Sequence, residues 1–129
     1  MITIPKKVEY SIILIAYLAK NKESTVSLTN MAKRLRLPYR FLGQLAVKLK
    51  QSGIVTSREG KSGGYELVPG WQKKNLFDLV DALGENKRMV KCLGDEECSR
   101  VANCELKKIW NRVEDSFVKE MKLIKLESI

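Results

Sequence analysis

Two short helical patterns parted by Leu37-Pro38 constrain this chain more than any other feature of its sequence. The first, Leu28 to Leu35, follows Ser27, whose hydroxyl suits the free amides of a first helical turn. The second runs from Pro38 to about Gln51 and ends at Gly53, with Leu42, Leu45, Ala46 and Leu49 as one buried stripe. A residue before proline is pushed out of the helical region, so the chain must turn between the two helices. Tyr39, Arg40, Gly43, Gln44, Lys48 and Lys50 occupy the face opposite the stripe. Two helices at a tight turn, the second presenting amide and cationic groups, make a helix-turn-helix pattern. Adenine and guanine edges receive glutamine and arginine in a major groove, so Arg40, Gln44 and Lys48, with Tyr39, are candidate base readers. An ordinary solvated helix face has the same composition, so this face alone does not fix a function.

The residues that follow read as a β-hairpin. Gly53-Ile-Val-Thr-Ser-Arg58 and Tyr65-Glu-Leu-Val68 flank the loop Glu59-Gly-Lys-Ser-Gly-Gly64. Arg58 and Lys61 lie at its tip, and Gly60, Gly63 and Gly64 let the backbone approach another surface. A hairpin directly behind a helix-turn-helix is a wing. The Gly-Lys-Ser triplet lacks the preceding strand, spaced glycine and following helix of a nucleotide loop, so that reading is discarded.

Helices enclose this unit on both sides. One runs from Pro5 to about Lys20, with Val8, Ile12, Ile15, Ala16 and Ala19 expected inward. The polar stretch 21–25 closes it. Another runs from Asn75 to Leu83, capped by Asn75, stopped by Gly84, with Leu76, Leu79, Val80 and Leu83 inward. From Cys104 to about Leu126 a long helix carries Leu106, Ile109, Trp110, Val113, Phe117, Met121 and Ile124 along one stripe. So small a body cannot cover that stripe, and pairing with a second copy in a two-fold homodimer is expected. The fold class is therefore mostly α with a small β-hairpin. Its expected parts are a winged helix-turn-helix domain over 1–84, a cysteine-containing loop over 85–103 and a dimerisation helix over 104–129.

Charge separates the two halves. Of 129 residues, 24 are Lys or Arg and 15 Asp or Glu, a net charge of +9. Residues 1–74 hold 14 of the basic and 4 of the acidic groups, whereas 75–129 hold 10 and 11. Only the first half suits a polyanion such as double-stranded DNA. The longest apolar run, Ile12 to Ala19, has 8 residues, against the ~20 that span a bilayer. No secretory hydrophobic region opens the sequence, so a cytoplasmic location and no membrane partner are expected.

The cysteines, Cys92, Cys98 and Cys104, are separated by five residues each time, and histidine is absent. An odd, clustered set without a secretory leader points to a metal or redox site rather than a disulfide framework. Without histidine there is no Cys–His nucleophile pair and no usual general base. Neither an enzyme nor a small-molecule substrate is expected.

Helix, helix-turn-helix, a wing ending Gly63-Gly64-Tyr65, a short helix, Cys-x5-Cys-x5-Cys and a long helix follow one another in this order. With Tyr17-Leu18-Ala19, Phe41-Leu42-Gly43-Gln44-Leu45, the segment Leu49 to Val55, the segment Leu79 to Leu83 and Trp110, the chain resembles the IscR/NsrR family of winged-helix regulators over nearly its whole length. That resemblance implies a homodimeric transcription factor that binds palindromic operators. It also implies an iron–sulfur cluster (2Fe-2S or 4Fe-4S) on the three cysteines, its loss, oxidation or nitrosylation serving as signal. Thiolates are the soft ligands such clusters require. Zinc fits less well, since its structural sites take four thiolates or thiolates completed by imidazole.

One branch of the family completes the cluster with a histidine three residues past the last cysteine; here Lys107 stands there, and an ammonium cannot ligate. Another branch uses a carboxylate near the start of the first helix, reaching across the dimer, and Glu9 matches it. The resemblance thus implies Cys92, Cys98 and Cys104 from one subunit and Glu9 from the other as ligands. One departure concerns the wing, where the family places arginine directly before the first glycine. Here Glu59 holds that place and Arg58 lies one residue earlier, leaving the groove contact to Arg58 or Lys61. Two other readings share these residues: a thiol-based redox-responsive DNA-binding regulator without a cluster, and an iron–sulfur electron-transfer or cluster-carrier protein docking an acidic partner through its basic half.

Overall fold

The computed structural model describes residues 3–85 and 104–129. Helix α1 (Lys6–Lys20) starts after Pro5, which takes the capping position with extended backbone. Its buried residues are Val8, Ser11, Leu14, Ile15 and Leu18 rather than the expected line through Ile12, Ala16 and Ala19. Ile12 and Ala19 lie at the edge of the core instead. The physical reason is that residues 12–19 are apolar all round. Periodicity then leaves the helix's rotation open, and packing against the wing and the second helix of the turn decides it.

Helix α2 (Leu28–Leu35) is capped as expected: the Ser27 hydroxyl accepts the Asn30 amide at 3.1 Å. It ends at Arg36, whose φ of 54° is left-handed and swings the chain into the turn. Helix α3 (Tyr39–Gln51) follows, burying Leu42, Leu45, Ala46 and Leu49, the stripe read from the sequence. An edge-to-face pair of the Tyr10 and Phe41 rings, 5.4 Å between centroids, joins α1 to α3.

Strands β1 (Val55–Arg58) and β2 (Gly64–Leu67) pair antiparallel, Val55 opposite Leu67 and Arg58 opposite Gly64. The other edge of β2 is covered by the α1–α2 connection. Val26 and Tyr65 exchange both backbone hydrogen bonds, at 2.9 and 2.8 Å. The wing is thereby fastened to the helical body through a single-residue β-bridge at Val26, in the place a third strand would take, which the sequence pattern does not reveal.

Helix α4 (Leu76–Ala82) begins with a reciprocal cap, Asn75 and Asp78 each accepting the other's amide at 2.9 Å. Trp71, in a 3-10 turn over Trp71–Lys73, is buried beside it in the same core. Helix α5 (Glu105–Leu123) has Cys104 at its cap and ends earlier than the expected Leu126. At Ile124 the chain extends and returns to its own body. Leu76 donates to the Ile124 carbonyl and Leu126 to the Lys74 carbonyl, both at 2.8 Å. Leu126 is 1% exposed and joins the main core, so Ile124 lies past the helix rather than on its stripe. Of the remaining stripe, Leu106, Ile109 and Phe117 are exposed while Trp110, Val113 and Met121 are half-buried.

Gly64 stands where the backbone at Val26 presses on β2. A Cβ there would lie 2.5 Å from the carbonyl carbon and oxygen of Val26, at a φ of 155°. Gly64→Ala is expected to destabilise the fold by about 3 kcal/mol. In a thermal melt that loss lowers Tm by roughly 10 °C.

Candidate nucleic-acid interface and cysteine site

Helix α3 presents Tyr39, Arg40 and Gln44 to solvent, as the sequence leads one to expect. Lys48 is placed differently: it is half-buried, and its Nζ donates to the Leu83 carbonyl at the end of α4, 3.4 Å away. Lys50 turns to the other flank, donating to the Ser57 hydroxyl on β1 at 2.6 Å. Between these two lysines Val47 and Gln51 are exposed, residues that charge-based reading of the helix passes over. Lys33, Arg34 and Arg36 are exposed on and just after α2, adding cations beside the start of α3.

On the wing, the Arg58 Nε lies 3.0 Å from a Glu66 carboxylate oxygen. The register sets Glu66 opposite Thr56, two residues before Arg58, so the pair is a diagonal one on a single sheet face. Arg58 is 69% exposed, and an exposed pair of this kind is worth only about 0–1 kcal/mol. Lys61 is exposed at the tip, where the Thr25 hydroxyl holds the neighbouring Ser62 carbonyl. The surface formed by α2, α3 and the wing therefore offers cations for phosphates and, along α3, amide and guanidinium groups for base edges.

Of the expected ligand residues, the structure describes two. Cys104 is half-buried at the start of α5, with no side-chain capping bond. Glu9 is exposed in the first turn of α1, 3.1 Å from the Lys6 ammonium. The hydrogen bond to Glu9, reinforced by its charge, raises the Lys6 pKa above its ordinary value. Cys92, Cys98 and most of the expected 85–103 loop lie outside the described residues. Among the described residues no three His, Cys, Asp or Glu converge on one point. The way into the cysteine segment is nevertheless fixed: Glu85 pairs with Lys7 of α1 at 3.2 Å, two residues before Glu9. Lys107 is half-buried on α5, three residues past Cys104.

A helix-turn-helix fastened to a β-wing, with a basic outer helix, defines a winged-helix DNA-binding transcriptional regulator. Residues 4–129 match the model of Rrf2, described as an iron-dependent transcriptional regulator, and the chain belongs to the Rrf2 family. It is 30% identical over 124 residues to a Haemophilus influenzae protein named as an HTH-type transcriptional regulator, covering 93% of this chain and 83% of the relative. Among solved structures, CymR, the global cysteine regulator of B. subtilis, superposes with a TM-score of 0.76 at 28% identity, over 98% of this chain and 95% of that one. T. potens IscR superposes with a TM-score of 0.76 at 25% identity, over 98% of this chain and 84% of that one. Among the described residues no helix is long and apolar enough to cross a membrane.

Glu66 holds Arg58 against the sheet, so removing its charge should free a cation for the duplex. Glu66→Gln is expected to tighten binding to mixed-sequence DNA about threefold, the weight of one exposed ion pair. The logarithmic salt dependence of that binding should steepen by about 1, as for one added phosphate contact. Fluorescence anisotropy across a salt series measures both.

Proposed function

We propose that the chain is a homodimeric operator-binding regulator whose DNA affinity is governed by an iron–sulfur cluster, 2Fe-2S or 4Fe-4S. Its ligands are Cys92, Cys98 and Cys104 of one subunit and Glu9 of the partner subunit. The observation that carries this reading is where the cysteine segment is attached. It leaves the DNA-binding body at Glu85, tied to α1, and re-enters at Cys104, the first turn of α5. Any chemistry on the three thiols therefore acts between the reading unit and the helix that faces outward.

The donor set suits the group. Cys104 stands half-buried at the N-terminus of α5 and offers the soft sulfur that such a cluster requires. Glu9 is held only by an exposed ion pair with Lys6, which costs little to exchange. A carboxylate oxygen is harder than sulfur and more easily displaced, which suits a sensor better than a permanent electron carrier. When bound, the cluster supplies a centre that oxygen or nitric oxide can attack.

DNA recognition falls to α3 and the wing. Arg40 and Gln44, with Tyr39 and Lys48, meet base edges and phosphates of a half-site, and Arg58 and Lys61 approach the flanking groove. Two-fold symmetry then sets palindromic half-sites about 34 Å apart. The dimer contact is the stripe Leu106, Ile109, Val113 and Phe117, at intervals of three, four and four residues. Ile109 is 59% exposed, and large apolar side chains left so open along a helix are normally covered by a partner. A double Ile109→Glu, Phe117→Glu variant is expected to sediment as a monomer at micromolar concentration, with its helical spectrum retained.

A second reading is favoured by the likeness to CymR. In it the same cysteines act as bare thiols, and DNA affinity follows their oxidation. Purification under strict anaerobiosis from iron-replete cells separates the two. The cluster reading expects brown protein with visible absorbance and stoichiometric iron and acid-labile sulfide; Glu9→Ala should hasten cluster loss while dimer and melting temperature stay unchanged. Colourless protein that binds its operator and releases it on thiol oxidation would overturn the cluster reading in favour of the second.

A further inference from the structure

The outermost line of α3 is not the one its charges outline. Arg40, Gln44, Val47 and Gln51 recur at intervals of four, three and four residues, and all four are exposed. They lie opposite the buried Leu42, Leu45, Ala46 and Leu49. Lys48 and Lys50 flank this line, and each is already engaged by its own chain, with the Leu83 carbonyl and the Ser57 hydroxyl respectively. Val47 sits in the middle, 51% exposed, an aliphatic side chain between two lysines.

The fold uses only one side of this valine, which lines a shallow apolar concavity with Lys7, Phe41 and Leu45. Its other half stays in water, and a β-branched residue is a poorer helix former than the lysines and glutamines around it. In a major groove it has neither donor nor acceptor to offer. The partner that rewards its methyl groups there is the C5 methyl of thymine, which no other base carries. We propose that Val47 is a specificity-determining residue that packs against a thymine methyl, beside the base pair met by Gln44. The inference rests on α3 being the recognition helix and adds to it which base is read without a hydrogen bond.

The experiment replaces single methyl groups. Duplexes enriched from a random library by the full-length chain, in the form that binds DNA, supply the operator. Each thymine is then changed in turn to deoxyuridine, which lacks only the C5 methyl. One thymine in each half-site is expected to matter, its replacement weakening binding about fourfold, as for one methyl group returned to water. That dependence should vanish in Val47→Ala, while replacements elsewhere affect both proteins equally. The scan on the native chain suffices to overturn the proposal if no half-site thymine depends on its methyl. So does the same dependence persisting in Val47→Ala, or a loss in that variant equal on every duplex. A chain that enriches no sequence overturns the DNA-reading role of α3 itself, and this inference with it, and is thereby told apart from failure at Val47 alone.

Discussion

The exchange of backbone hydrogen bonds between Val26 and Tyr65 organises the rest of this molecule. Each such bond contributes only about 1 kcal/mol net, but an amide left buried without a partner costs about 1–3 kcal/mol, so the pair selects one arrangement strongly. Its effect is positional. The α1–α2 connection is bridged to the wing at Val26, and β1 then follows α3 with Ile54 donating to the Leu49 carbonyl at 3.0 Å. Helix α3, the turn and the hairpin are thereby fastened into one body. The requirement falls on Gly64, where any Cβ meets the Val26 carbonyl.

Upon that frame, several cations of the basic half are engaged by the chain itself. Arg58 leans on Glu66, Lys50 on Ser57, Lys48 on the Leu83 carbonyl and Lys6 on Glu9. These contacts are mostly exposed and individually weak, each worth about 0–1 kcal/mol. A duplex phosphate, with its condensed counterions to release, competes with them readily. They hold flexible side chains near one conformation in the free protein. Lys61, at the wing tip, keeps its charge exposed for the backbone.

Much of this was legible because it is local. Ser27, Asn75 and the Leu42–Leu49 stripe announce α2, α4 and α3 within a few residues, and the glycine-rich loop marks the hairpin. What the pattern missed depends on distant partners. The rotation of α1 is set by what packs on an all-round apolar helix. The bridge at Val26 needs Tyr65, far along the chain, and the tail needs Lys74 and Leu76, some fifty residues before Leu126. The turn after α2 uses Arg36 in a left-handed conformation where glycine is the usual signal. Val47 was passed over for another reason, since an apolar residue is sorted toward the core until a structure shows it outside. Of the three cysteines that spacing groups together, the structure describes Cys104 alone, at the N-terminus of α5.

On the proposed function, the two ends of the cysteine segment give a signal there a route to α3. At its start, Leu83 and Glu85 are held by Lys48 of α3 and Lys7 of α1. At its end, Cys104 leads into α5, whose far end is stitched back to residues 74–76 by paired backbone bonds. Under that reading, a change in the segment that shifts Leu83 and Glu85 would pull on α3 through Lys48 and on the first turn of α1 through Lys7. The energies are commensurate. Two contacts of about 0.5–1 kcal/mol per subunit amount to the 1–3 kcal/mol by which allosteric sites are typically coupled. A switch of that size needs no refolding: releasing a lysine toward phosphate and turning α3 slightly is enough to change affinity by about tenfold.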